Sequence, residues 1–179
     1  MRKGFLQRVI EQLQNMLSDD NLQSVNLLNA ADYVAALDRI CANAKSNLFI
    51  FDRDFLNGGF NSETRFEHLK HFLLSNPKNR LHLLAHDVIP LSQHCPRLML
   101  LARQFNPAML IHQTPKNLQH ISAPFAVTDE GQYTRRFHFN DTRGVMELND
   151  NEGARQLKVR FTEMWAASQP HIATASFIL

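Results

Sequence analysis

Along this chain, apolar residues recur every three or four positions in some stretches and stand in short unbroken runs in others. These are the signatures of amphipathic helices and of buried strands. Residues 4–17 put Phe5, Val9, Ile10, Leu13, Met16 and Leu17 on one helical face, and Ser18-Asp19-Asp20-Asn21 ends it. Asn29, with Asp32 at its third helical position, predicts the cap of a second helix with the stripe Val34, Leu37, Cys41 and Ala44. NLFIFDRDF then reads as a buried strand over 47–53, followed by a loop turning at Gly58-Gly59. Ser62 caps a helix with Phe66, Leu69 and Leu73 inward, and Asn76-Pro77 stops it. RLHLLAHD (80–87) is a second strand. Pro96 suits the first turn of a short helix carrying Leu98, Leu101 and Phe105, and AMLIHQT (108–114) is a third strand.

This alternation argues for parallel strands joined by helical crossovers. The pattern then changes. PFAVTD, YTRRFHF and RGVMELN are strands separated by the turn signals Glu130-Gly131 and Asn140-Asp141, as in an antiparallel meander. Asp150 caps a closing helix whose inner positions are Leu157, Phe161, Met164 and Trp165. The expected division is an amphipathic helix over 1–20, one domain over 21–169 and an aperiodic tail over 170–179. The apolar face of the first helix calls for a partner, either the domain itself or a second copy in a homodimer.

Composition narrows the class only slightly. A chain of 179 residues that is 44% hydrophobic and 20% charged fits one globular domain, and a net charge of +2 gives no strong field. Cys41 and Cys95 show no paired spacing and read as free thiols of a reducing compartment. Gln7, Arg8, Glu11 and Gln12 break up the N-terminal apolar run, so no signal peptide or membrane insertion is expected, and the cytoplasm is the default location. Nucleic acid is not an expected partner. Binding it needs a basic stripe with exposed aromatics, and the 13 phenylalanines fall mostly on predicted core faces.

The closing segment, LQHISAPFAVTDEGQYTRRFHFNDTRGVMELNDNEGARQLKVRFTEMWAASQ, resembles the end of a phospholipase D-type half-domain. The order strand, turn, strand, loop, acid-bearing strand with Glu147, and helix ending in Phe161-x-x-x-Trp165 is similar to that superfamily. The phrase ARQLKVRFTEMWAASQP also resembles an uncharacterised group of bacterial proteins related to it. The resemblance implies an α/β fold, a mixed sheet flanked by helices, as a phospholipase D-like half-domain with an extra N-terminal helix. It also implies a motif His-x-Lys-x4-Asp. With Asp129 at the aspartate position, the lysine position holds Pro124 and the histidine position Ser122. The superfamily's reaction needs a histidine nucleophile, a second histidine from the other half as acid, and lysines on the phosphate. Serine without a base and proline without a charge supply none of this, so no catalytic residue is assigned. His68-Leu69-Lys70 is read as a chance match on a helix.

Candidate ligand positions remain. Asp52, Arg53, His86, Asp87 and His112 leave the predicted parallel strands at their carboxyl edge, where open α/β sheets gather ligands. His120 precedes the motif strand; the cluster Arg135, Arg136, His138 and Arg143 follows it, with Glu147 on the strand after, and that cluster suits a phosphate. Loop caps and salt bridges account for the first set better than a ligand does, and ion pairs with Asp129, Glu130, Asp141 or Glu147 account for the second equally well. The pairs His68/His71 and His82/His86 have metal-binding spacing without acidic or cysteine partners, so no metal and no cofactor is expected. Three functions stay open. One is an inactive binding or regulatory module for an anionic or phosphorylated ligand. Another is a divergent phosphodiesterase or nuclease using His120 or His138. The third is a structural subunit that docks on a partner.

Overall fold

The computed structural model describes residues 24–171; the predicted helix over 4–17 and the last eight residues of the tail lie outside them. Within this span the elements are β1 (Ser24–Leu27), α1 (Ala30–Asn43), β2 (Asn47–Asp52), α2 (Glu63–Ser75), β3 (Arg80–Ala85), α3 (Ile89–His94), α4 (Pro96–Gln104), β4 (Met109–Gln113), β5 (Phe125–Thr128), β6 (Tyr133–Arg136), β7 (Gly144–Glu147), α5 (Asn151–Ala167) and β8 (Gln169–Pro170). They form one eight-stranded sheet in the order β1-β7-β6-β5-β2-β3-β4-β8. β2, β3 and β4 are parallel; every other pairing is antiparallel. This is the expected α/β fold, a mixed sheet flanked by helices.

The expected caps form: Asn29 Oδ1 accepts from Asp32 N–H, Ser62 Oγ from Arg65 N–H and Asp150 Oδ1 from Gly153 N–H. Gly153 is required there, since a Cβ would stand 2.2 Å from the capping Asp150 carboxylate and 2.6 Å from the Tyr133 hydroxyl. The sheet separates two apolar layers. One, under α1 to α4, contains Leu37, Ile40, Leu48, Ile50, Leu81 and Leu83; the other, under α5, contains Phe51, Leu84, Phe125, Val127, Phe161 and Met164.

The departures from the pattern are local. β1 and α3 are additional, and Gln169–Pro170 pairs with β4 instead of trailing as a tail. The buried face of α1 is Tyr33, Ala36, Leu37, Ile40 and Cys41, with Val34 and Ala44 only half-buried. On α2 the inward positions include Arg65, which is fully buried. Trp165, expected in the core, is half-buried and stacks on His112 at 3.6 Å between ring centroids.

Candidate functional site

Strand β5 begins between two buried charges. Phe51 pairs with Phe125 and Phe125 with Arg135, so Pro124 lies level with Asp52 on one side and Arg136 on the other. Arg136 N–H donates to the Pro124 carbonyl at 3.1 Å. All three side chains are buried: Asp52 is 3% exposed and Arg136 5%. The guanidinium of Arg136 donates to the Phe139 carbonyl and lies 5.1 Å from the Tyr33 ring centre. Its Nε has no partner among the described residues. Burial pushes the Asp52 carboxyl up to about 7, and Asp54 reinforces the rise. Arg136 and the backbone N–H groups of Arg53 and Asp54 pull the other way. The Tyr33 phenol is pushed up by burial and by Asp52.

The other predicted residues at this edge are mostly taken up by the fold. His86 Nε2 donates to the Ile121 carbonyl at 2.7 Å and its Nδ1 accepts from the Thr114 hydroxyl. That set holds the imidazole neutral, burial lowers its pKa, and the ring ties the segment after β4 to β3. Asp87 accepts from Ile89 N–H at the start of α3. Arg53 pairs with Asp54 at 3.3 Å and lies over Phe139. His112 lies under Trp165 with Nδ1 2.8 Å from Ser168 Oγ. His138 Nδ1 accepts from Asn140 N–H.

Two members lie elsewhere. Asp129, next to β5 at its other end, takes hydrogen bonds from Asn47 at 2.6 Å and Ser46 at 3.2 Å and pairs with Lys158 at 3.4 Å. Glu147 accepts from Ser24 Oγ at 2.6 Å, at that same end. The strand therefore separates Asp129 from Arg136, and the two cannot hold one anion.

The open surface is on the other face, along α5. Three depressions follow one another there, of about 290, 450 and 410 Å3. The first and second share Arg160, and the second and third share Ala167. The trough they make begins at Tyr133, Arg135 and Gly153, passes His120, Ser122 and Glu163, and ends at Thr114, Lys116 and Gln169. Ser122 and His120 thus line a single cavity with Arg160, while His120 Nδ1 donates to the Asn117 carbonyl at 3.0 Å. The chain pattern does not show this trough. Arg160 lies on α5 and Lys116 on the segment after β4, 44 positions apart in the chain.

The fold is similar to that of phospholipase D-like proteins. The chain belongs to the family described as a domain of unknown function, DUF7931, whose model matches residues 29–177. No curated protein matches it. Among solved structures, the chain is similar to Nuc from Salmonella typhimurium, a phospholipase D family member (TM-score 0.57, 12% identity, 83% of this chain and 96% of that one). It is similar also to the phosphatidylserine synthase of Haemophilus influenzae Rd KW20 (TM-score 0.62, 12% identity, 93% of this chain and 43% of that one). A third similar structure is TrmBL2, an archaeal chromatin protein with a novel mode of DNA binding (TM-score 0.65, 10% identity, 93% of this chain). The present chain spans 61% of the TrmBL2 chain. That match overturns the expectation that nucleic acid is not a partner, because the fold is shared with a DNA-binding protein. That expectation asks for one continuous basic stripe, whereas the fold brings Arg135, Arg160 and Lys116 together from separate segments. No helix among the described residues is long and apolar enough to cross a membrane.

Proposed function

We propose that this chain is a phospholipase D-like domain without phosphodiesterase activity that works as a binding module for a phosphate-bearing ligand. The observation that carries the reading is the row Asp52, Pro124, Arg136. Where the superfamily's lysine would meet a phosphate, a proline ring is packed between two buried charges, and the neighbouring histidine position is Ser122 with no base bonded to it. A general base must reach its proton before it can act. His86, which follows β3 at this edge, has both nitrogens engaged. The cations of the trough, in contrast, face solvent and suit phosphate oxygens.

Purified protein offered an aryl phosphodiester, double-stranded DNA and phosphatidylcholine, with and without divalent metal, should give no turnover. It should bind inorganic tripolyphosphate in a calorimetric titration. The competing reading, a rearranged phosphodiesterase, is favoured by His120 and Ser122 lining one cavity. Turnover abolished by His120→Ala or His138→Ala would establish that reading in place of the first.

A further inference from the structure

The trough along α5 has a length, a charge and an aromatic that a small anion does not need. It follows a helix of 17 residues, about 25 Å at 1.5 Å per residue. Its solvent-facing cations Arg135, Arg160 and Lys116 come from β6, from α5 and from the segment after β4. None of the three belongs to an ion pair among the described residues, whereas Lys158 and Arg155 on the same helix do. One acid, Glu163, lines the trough. Asp150, beside its head, is already held by the Tyr133 hydroxyl and Gly153 N–H. Phe137 is not among the lining residues but stands beside one of them: it is 48% exposed, with the Arg135 guanidinium 5.8 Å from its ring centre.

We infer that this trough is a binding site for single-stranded nucleic acid, with Arg135, Arg160 and Lys116 on phosphates spaced along the strand and Phe137, beside Arg135, stacking on a base. The inference rests on the proposed reading of the domain as a phosphate-binding module and adds the class of ligand and the place. A row of separated cations in an extended groove tracks a polyanion. The exposed ring discriminates further, because an acidic peptide has no use for a flat apolar platform and a duplex keeps its bases stacked on one another. At about 3.4 Å per stacked nucleotide the trough takes up to about seven.

The test is fluorescence anisotropy with a labelled oligo-dT and a labelled oligo-rU of 20 nucleotides, from 50 to 200 mM salt. Three phosphate contacts give a slope of log affinity on log salt near −2, at about 0.7 per contact on a single strand. Arg160→Gln and Lys116→Gln, on two different elements, should each weaken binding and flatten the slope by about 0.7. Phe137→Ala should weaken binding at least about fivefold, the low end for one base stack, without changing the slope. Lys78→Gln, an equal charge change on exposed surface elsewhere, should do neither. Oligonucleotide affinity unchanged in both Arg160→Gln and Lys116→Gln, or preference for duplex over either strand, overturns the inference. Binding of tripolyphosphate without binding of either oligonucleotide overturns it while leaving the phosphate-binding reading intact. Binding of neither removes both.

Discussion

Arg135 and Arg136 are neighbours in the chain with opposite surroundings. Arg136 points under the face covered by α1 to α4, 5% exposed, with Tyr33 over it and Asp52 across β5. Arg135 points to the face crossed by α5, exposed, at the head of the open trough. Strand alternation alone makes the difference, since successive side chains leave a sheet on opposite sides. The same contrast runs through the molecule. Beneath α1 and α2 the charges Arg65, Asp52 and Arg136 are spent on the fold, while along α5 Arg135 and Arg160 are left to solvent. A charge the fold has enclosed cannot also hold a ligand, so the helix-covered region is the one to break for stability and the trough is the one to break for binding.

The largest effect should come from Arg65. It is fully buried, pairs with Asp38 at 2.7 Å, donates to the carbonyls of Val34 and Gly58, and lies over Phe60. Through these contacts one side chain holds α1, α2 and the turn at Gly58-Gly59 together. Arg65→Ala leaves a carboxylate and two carbonyls without their donor, which costs about 3 kcal/mol or more. In a domain of this size that lowers the melting temperature by on the order of 10 °C. Melting within two degrees of the wild type would show that the helix-covered region does not depend on its enclosed cations.

Asp52 should give the next effect, and its signature is the pH dependence. Its folded-state pKa is about 7, raised by burial from an ordinary carboxylate value of 3.8. The folded protein therefore holds a proton that the unfolded chain has released between these values. The stabilising contribution is complete below about pH 4 and is lost as pH rises through 7. Asp52→Asn keeps an acceptor for the backbone N–H groups and removes the charge. Relative to wild type it should gain stability from pH 5 to pH 8, by roughly 2 kcal/mol at the upper end, measured by urea denaturation at each pH. A difference between the two proteins that stays constant over that interval would show that the Asp52 carboxyl is not enclosed as described.

Legibility in the sequence divides along the same line. The alternation of strands and helices and the caps at Asn29, Ser62 and Asp150 are short-range signals, and all could be read from the chain. β1 is four residues, Ser24–Leu27, with Asn26 in its middle, and becomes a strand only because β7 pairs with it. α3 is a single six-residue turn and a half containing Pro90. Burial of Arg65 leaves one trace, a charged residue at i−4 and i−8 from Leu69 and Leu73 on the apolar face of α2. The trough leaves none, because Arg135, Arg160 and Lys116 meet only when β6, α5 and the segment after β4 pack together. The same packing sends Asp129 away from Arg136, although they are seven positions apart in the chain.

The smallest effect on stability should come from the trough itself. Arg135→Gln and Arg160→Gln remove cations that face solvent and make no ion pair among the described residues, and the glutamine keeps most of the aliphatic stem. Neither the sheet nor α5 loses a hydrogen bond. Surface changes of this kind stay within about 0.5 kcal/mol, roughly 1–2 °C in a domain of this size. The double variant should therefore melt with the wild type by differential scanning calorimetry. It should even gain slightly at low salt, because three cations along one groove repel one another more weakly when two are neutral. A fall of several degrees would show that these arginines are structural like Arg65 and Arg136, and the contrast between the two faces of the sheet would collapse.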